Sequence, residues 1–102
     1  MAEELKEDIN QYNDIIDTYS NLETEDIELA YDLAKQCLIF ANRWNEIMLQ
    51  SAKYCTLLDI SRTAFEKWAY HKYRILMTAH EYCRVVWRQG KEEYRNSFNN
   101  EL

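Results

Sequence analysis

The sequence contains no proline and a single glycine, Gly90. Tight turns are built largely from these residues, so a hairpin-rich sheet protein is excluded and an all-α fold is expected. No apolar run approaches the ~20 residues of a membrane span. No charged-then-apolar leader opens the chain, and a cytoplasmic protein without a membrane partner is expected. Cysteine is scarce and odd in number, at Cys37, Cys55 and Cys83. That excludes a disulfide framework and reads as small apolar core positions in a reducing compartment. Basic residues are missing from the start. Residues 1–28 hold ten acids and one base, Lys6, whereas residues 29–102 hold eight acids and eleven bases. The net charge of −6 is therefore an N-terminal feature, and it does not argue against nucleic acid further along.

Site chemistry is also sparse. There is no glycine-rich phosphate loop, no C-x-x-C and no H-E-x-x-H. His71 and His80 fall on opposite sides of one helix. His80 and Cys83 stand at i, i+3, but no second pair completes four ligands. The doublets Glu3-Glu4 and Glu92-Glu93 read as solvated surface. No enzyme activity, cofactor or metal is expected.

What is present is a core. Hydrophobic residues make up 47% of 102 residues, enough to fold one small domain and too many for a disordered chain. Leu5, Ile9, Tyr12, Ile16 and Tyr19 recur in a 4-3 rhythm, predicting a short acidic helix over 3–20 with its connection running to residue 24. Thr24 reads as the cap of a second helix over 25–58. Its small residues Ala30, Ala34 and Ala41 allow close approach. A third helix is predicted over 61–97, capped by Ser61 or Thr63, with a loose tail at 98–102. A break at residues 59–63 gives a three-helix bundle with two long antiparallel helices. Continuity there gives one helix through 25–97, stable only as an oligomer. The break is preferred.

On a helical wheel, Phe65, Trp68, Ile75, Leu76, Ala79, Tyr82, Cys83, Val86 and Trp87 gather on one side of the third helix. Arg62, Lys67, Arg74, Arg84, Arg88, Lys91 and Arg95 gather on the other. Gly90 costs about 1 kcal/mol inside a helix, so fraying or an end is expected there. Lys72 breaks the pattern by standing on the aromatic face. It either snorkels past its neighbours or pairs with Asp14 or Asp17 of the acidic helix. Lys72, Trp68 and Trp87 are assigned to assembly.

The octet Lys67–Arg74, KWAYHKYR, interleaves aromatic and basic residues. Rings that stack on bases beside phosphate-binding cations hold single strands without sequence preference. The candidate strip for nucleic acid or an acidic partner is Lys67, Tyr70, Tyr73 and Arg74, with Arg84, Arg88, Lys91 and Arg95. The bland alternative is that these rings fill a core and these cations solvate its outside. Glu3, Glu4, Glu7, Asp8, Asp14 and Asp17 form the candidate surface for a basic partner.

From Ala30 to Arg74, with ANRW at 41–44 and then KWAYHKYR, the chain resembles the phage recombination-mediator family. Those small, helical, oligomeric proteins help a recombinase load onto single-stranded DNA. The stretch Cys55–Trp68 is similar to a helix-turn-helix, with Asp59 at the usual turn glycine. Ile60, Phe65 and Trp68 would be its buried positions, and Ser61, Arg62, Thr63 and Lys67 would face a major groove. Small size and absent site chemistry point first to a non-enzymatic, homo-oligomeric interaction protein of the kind viruses and phages encode. Such a protein would bind or block a protein complex through helical surfaces and its acidic arm.

Overall fold

A computed structural model describes residues 3–101, the side chains of Glu4 and Glu101 excepted. Every element among the described residues is helical: α1 Glu3–Ser20, α2 Ile27–Leu49, α3 Ser51–Leu58 and α4 Arg62–Glu101. The molecule measures 64 × 18 × 15 Å. At 1.5 Å per residue, α4 alone accounts for its length.

The two long helices, α2 and α4, pack antiparallel. Trp44 meets Trp68 edge-on at 5.2 Å and Tyr31 meets Trp87 at 5.2 Å, while Tyr54 of α3 stacks on Phe65 of α4 at 5.6 Å. Their seam is lined with small buried residues: Ala30, Ala34, Cys37 and Ala41 from α2, Ala69, Ala79 and Cys83 from α4. Backbones come close enough for His80 Nδ1 to donate to the Ala34 carbonyl at 2.6 Å. Larger residues fill the rest, including Leu33, Ile47, Phe65 and Leu76, all buried. Each contributes roughly 1.5–3 kcal/mol.

α1 is a docked helix and not a free arm. Leu5, Tyr12 and Ile15 are buried against the hairpin, with Ile9, Ile16 and Tyr19 half-buried beside them. Tyr12 meets Trp44 on α2 and Tyr19 meets Tyr82 on α4.

Four boundaries differ from expectation. The second helix is not continuous: it breaks at Gln50, whose φ of −100° and ψ of 27° leave the helical range. The break turns Ser51 into the interior, 1% exposed, where its hydroxyl meets α4. The cap of α2 is Asp26, whose carboxylate accepts from the Leu29 N–H at 3.1 Å, and not Thr24. Gly90 does not end α4. It lies against Ile27, the first residue of α2, where a Cβ would overlap the Ile27 side chain. The tail is helical through Glu101, since nothing after Gly90 lacks an N–H or forces a turn.

The break between α3 and α4 is present. Asp59 takes the left-handed conformation, φ 55° and ψ 49°. The Ile60 N–H then reaches the Cys55 carbonyl at 3.1 Å and the Asp59 N–H the Thr56 carbonyl at 3.3 Å, which is a Schellman ending. Ser61 caps α4, accepting from the Ala64 N–H at 3.0 Å.

Candidate functional site

The residues of the octet divide between core and surface. Lys67, Tyr70, His71 and Arg74 line one open solvent groove of about 470 Å³, to which α1 contributes Tyr19. Tyr70 is exposed, but the Arg74 guanidinium lies 5.9 Å from its ring centroid. Tyr73 packs against the core and meets Tyr70 at 6.2 Å. Tyr73 therefore does not present a free face beside Lys67 and Arg74. Trp68 is half-buried between Trp44 and Phe65.

Arg84, Arg88, Lys91 and Arg95 are all exposed, but they lie about a quarter turn around α4 from Lys67 and Arg74, at 100° per residue. The groove and the strip are two surfaces. Arg84 pairs with Glu81 at 3.2 Å, and Lys91 covers the Trp87 ring at 4.9 Å. Trp87 is thereby held between Tyr31 and Lys91. Arg88 and Arg95 have no carboxylate partner among the described residues.

The acidic helix divides in the same way. Asp8 is 8% exposed and accepts two bonds from Arg43, at 3.0 and 3.1 Å. That bond to Asp8 raises the Arg43 pKa above its ordinary value. Asp8 is thus a structural tie between α1 and α2. Glu3, Glu7, Asp14 and Asp17 point outward, exposed and without an ion pair among the described residues. The Glu4 side chain lies outside the described residues.

Lys72 is turned into the junction of α1, α2 and α4. Its ammonium lies 4.2 Å from the Tyr12 ring centroid, 5.1 Å from Trp68 and 5.7 Å from Trp44. Neither Asp14 nor Asp17 pairs with it: the faces of three rings replace the expected carboxylate, because the register of α1 brings Tyr12 to that level. Burial lowers the Lys72 pKa below the ordinary lysine value. Beneath it Trp44 is fully buried, and its indole N–H finds no acceptor among the described residues. Such an unmet donor costs about 1–3 kcal/mol.

One constellation was not visible in the sequence. Ser51 Oγ donates to Glu66 Oε1 at 2.8 Å. Arg62 Nε donates to both, at 2.9 and 3.0 Å. The Ser51 hydroxyl, then Arg62, hold the Glu66 carboxyl below its usual range. The spacing that joins residue 51 to residue 66 is set by the turn at Asp59, and only a committed turn geometry could have indicated it. These bonds keep α3 alongside α4. They also engage Arg62, though Ser61, Thr63 and Lys67 stay exposed.

Among the described residues no three His, Cys, Asp or Glu side chains gather to hold a metal ion. None of the described helices is long and apolar enough to cross a membrane. Burial, with Cys83 close by, pushes the Cys37 thiol up to about 12. Burial also raises Cys83, so neither supplies a thiolate at neutral pH. No protein-family model, curated protein or solved structure matches the chain.

Proposed function

We propose that this protein is a non-enzymatic, self-associating helical interaction protein that binds or blocks a partner complex carrying a basic surface. The observation that carries this is the division of labour within α1. Its apolar side and Asp8 fasten it to the hairpin, while Glu3, Glu7, Asp14 and Asp17 are left exposed and unpaired. Like-signed charges fixed on a rigid helix steer an oppositely charged partner and exclude like-charged ones. The rest of the surface supports assembly. Eleven large hydrophobic residues are exposed among the described residues, including Tyr94 at 72% and Phe98 at 54% on the part of α4 beyond Gly90. An accessory protein of viral or phage type that occupies a nucleic-acid groove on its target would use such an acidic face.

A second reading is a single-strand-binding mediator. The groove of Lys67, Tyr70, His71 and Arg74 favours it. The covering of Tyr70 by Arg74 and the packing of Tyr73 count against it.

Neutralising the outward acids separates the two. The quadruple variant Glu3→Gln, Glu7→Gln, Asp14→Asn, Asp17→Asn keeps Asp8 and should keep its helicity. It should lose retention on a cation-exchange matrix coated with a basic protein and gain no affinity for oligonucleotide. A mediator would instead bind single strands in low salt and lose that binding in Lys67→Ala with Arg74→Ala.

A further inference from the structure

The first helix covers only part of the stripe it lies on. Along α4 that stripe is Trp68, Lys72, Ile75, Ala79 and Tyr82, spaced 4-3-4-3 on one face. Leu5 shares a groove with Trp68, Tyr12 faces the Lys72 ammonium, and Tyr19 meets Tyr82 edge-on. Then α1 ends at Ser20 and the chain turns back into α2. The stripe itself runs on. At 100° per residue it continues through Val86, Gln89, Glu93 and Ser97, and α4 stays helical along that whole length.

An open cleft of about 670 Å³ borders this continuation, with the α1–α2 connection as its other wall. Its apolar lining is Ile27, Tyr82, Val85, Val86 and Tyr94. Tyr82 is 45%, Val85 40% and Tyr94 72% exposed. Two carboxylates, Glu25 and Glu93, line it as well, and no described lysine or arginine does. Both acids are exposed, and neither has an ion pair among the described residues. Glu23, Asp26 and Glu28, also exposed, stand beside Glu25 in the connection and the first turn of α2. Arg84, Arg88, Lys91 and Arg95 lie on the opposite side of α4, at 100° per residue, and leave this charge unbalanced.

We infer that this cleft docks a cationic amphipathic helix of a partner protein, lying in line with α1. The stripe from Tyr82 to Ser97 is about 22 Å long, the length of a helix of about fifteen residues. Apolar side chains at helical spacing on the partner meet Tyr82, Val85 and Tyr94. Lysines or arginines beside that apolar row meet Glu25 and Glu93 from the two walls of the cleft. An uncharged or acidic helix would instead desolvate both carboxylates without pairing them. A closed dimer does not supply the cations. The chain's own basic strip is on the back of the same helix, so a second copy using it would add head to tail without closing. The partner is the basic one proposed above, so the cleft rests on that reading and adds a second contact to it.

Two synthetic helices test it, one of leucine and lysine and one of leucine and glutamate with the same apolar row. Each carries a fluorophore, and binding is read by anisotropy, with the helicity of every variant checked by circular dichroism. The wild type should bind the lysine helix and not the glutamate helix. Glu25→Gln with Glu93→Gln should weaken that binding about fivefold or more, and Tyr94→Ser about tenfold. The quadruple variant of the α1 acids should stay within about threefold of wild type. Equal binding of both helices, or no binding of the lysine helix, would overturn the cleft. Binding lost in the α1 variant but untouched by the cleft variants would overturn the cleft and leave the acidic face of α1 standing. Binding lost in the cleft variants, with the α1 variant still retained on the basic matrix, would overturn that face and leave the cleft. Sedimentation equilibrium covers the remaining occupant: a self-associated wild type made monomeric by Tyr94→Ser would put a second copy in the cleft and overturn the partner helix.

Discussion

Gly90 of α4 lies against Ile27, the first residue of α2, so closely that a methyl group at position 90 would overlap the Ile27 side chain. The glycine is therefore a packing residue at the point where α2 begins, inside a helix that continues for eleven more residues to Glu101. Gly90→Ala should remove the propensity cost of about 1 kcal/mol but introduce overpacking of about 1–3 kcal/mol. A net loss of stability is expected in urea unfolding. Ile27→Ala should recover it when added to Gly90→Ala, as a double-mutant cycle would reveal. A stabilising Gly90→Ala would mean that α2 does not approach there.

Lys72 carries a pH signature. Its folded-state pKa lies below the unfolded value because burial disfavours the charge. Between those two values the unfolded chain binds more protons, so stability rises with pH across that window. Lys72→Met keeps the length of the side chain and the contact with the rings. Its stability should fall within about 1 kcal/mol of wild type at pH 7, since loss of the cation–π contacts offsets relief of desolvation. Cys37 and Cys83, held protonated in the fold, lower the stability of both proteins alike as pH rises, so the Lys72 contribution is read as a gain of wild type over the variant toward pH 10. Equal slopes would place Lys72 in solvent.

Glu66 works in the opposite direction. Its folded pKa is lowered by the Ser51 hydroxyl and Arg62. Its contribution is therefore complete above the unfolded value of about 4.3 and is lost as pH falls through the folded one. Glu66→Gln should be less stable than wild type at pH 7, and the gap should close in acid. Ser51→Ala removes the hydroxyl that both partners share and should cost about 1–2 kcal/mol. A pH-independent gap for Glu66→Gln would show that packing, not charge, holds α3 to α4.

The three thiols should react in a set order. Cys37 and Cys83 are fully buried and their thiols are held protonated, whereas Cys55 is half-buried. A thiol-reactive probe at pH 8 should label one site quickly in the native protein and all three only in denaturant. Rapid labelling of all three would show that the α2–α4 seam opens readily.

Much of the fold was legible because it rests on local and periodic signals. The row Ala30, Ala34, Cys37, Ala41 marked the close face of α2. Ser61 marked a cap, and the missing prolines marked a helical chain. What was not legible depends on tertiary partners. Gln50 is a good helix former, and the break there is paired with the burial of Ser51 against Glu66. Gly90 was read for its propensity, while its use is the approach of Ile27. Lys72 stood out on the aromatic face, yet its partner depends on the register of α1 and so on Tyr12. The same limit applies to the candidate surfaces. The wheel placed Tyr73 with Lys67 and Arg74, but proximity to the α2–α4 core takes it out of the groove. Asp8 was counted among the outward acids, but Arg43, thirty-five residues away, claims it.

Native mass with and without a short single-stranded oligonucleotide tests the proposed function most directly. An interaction protein that self-associates and presents the acids of α1 should give the mass of two or more copies, unchanged by the oligonucleotide. A single-copy mass that increases by the mass of the oligonucleotide would contradict it.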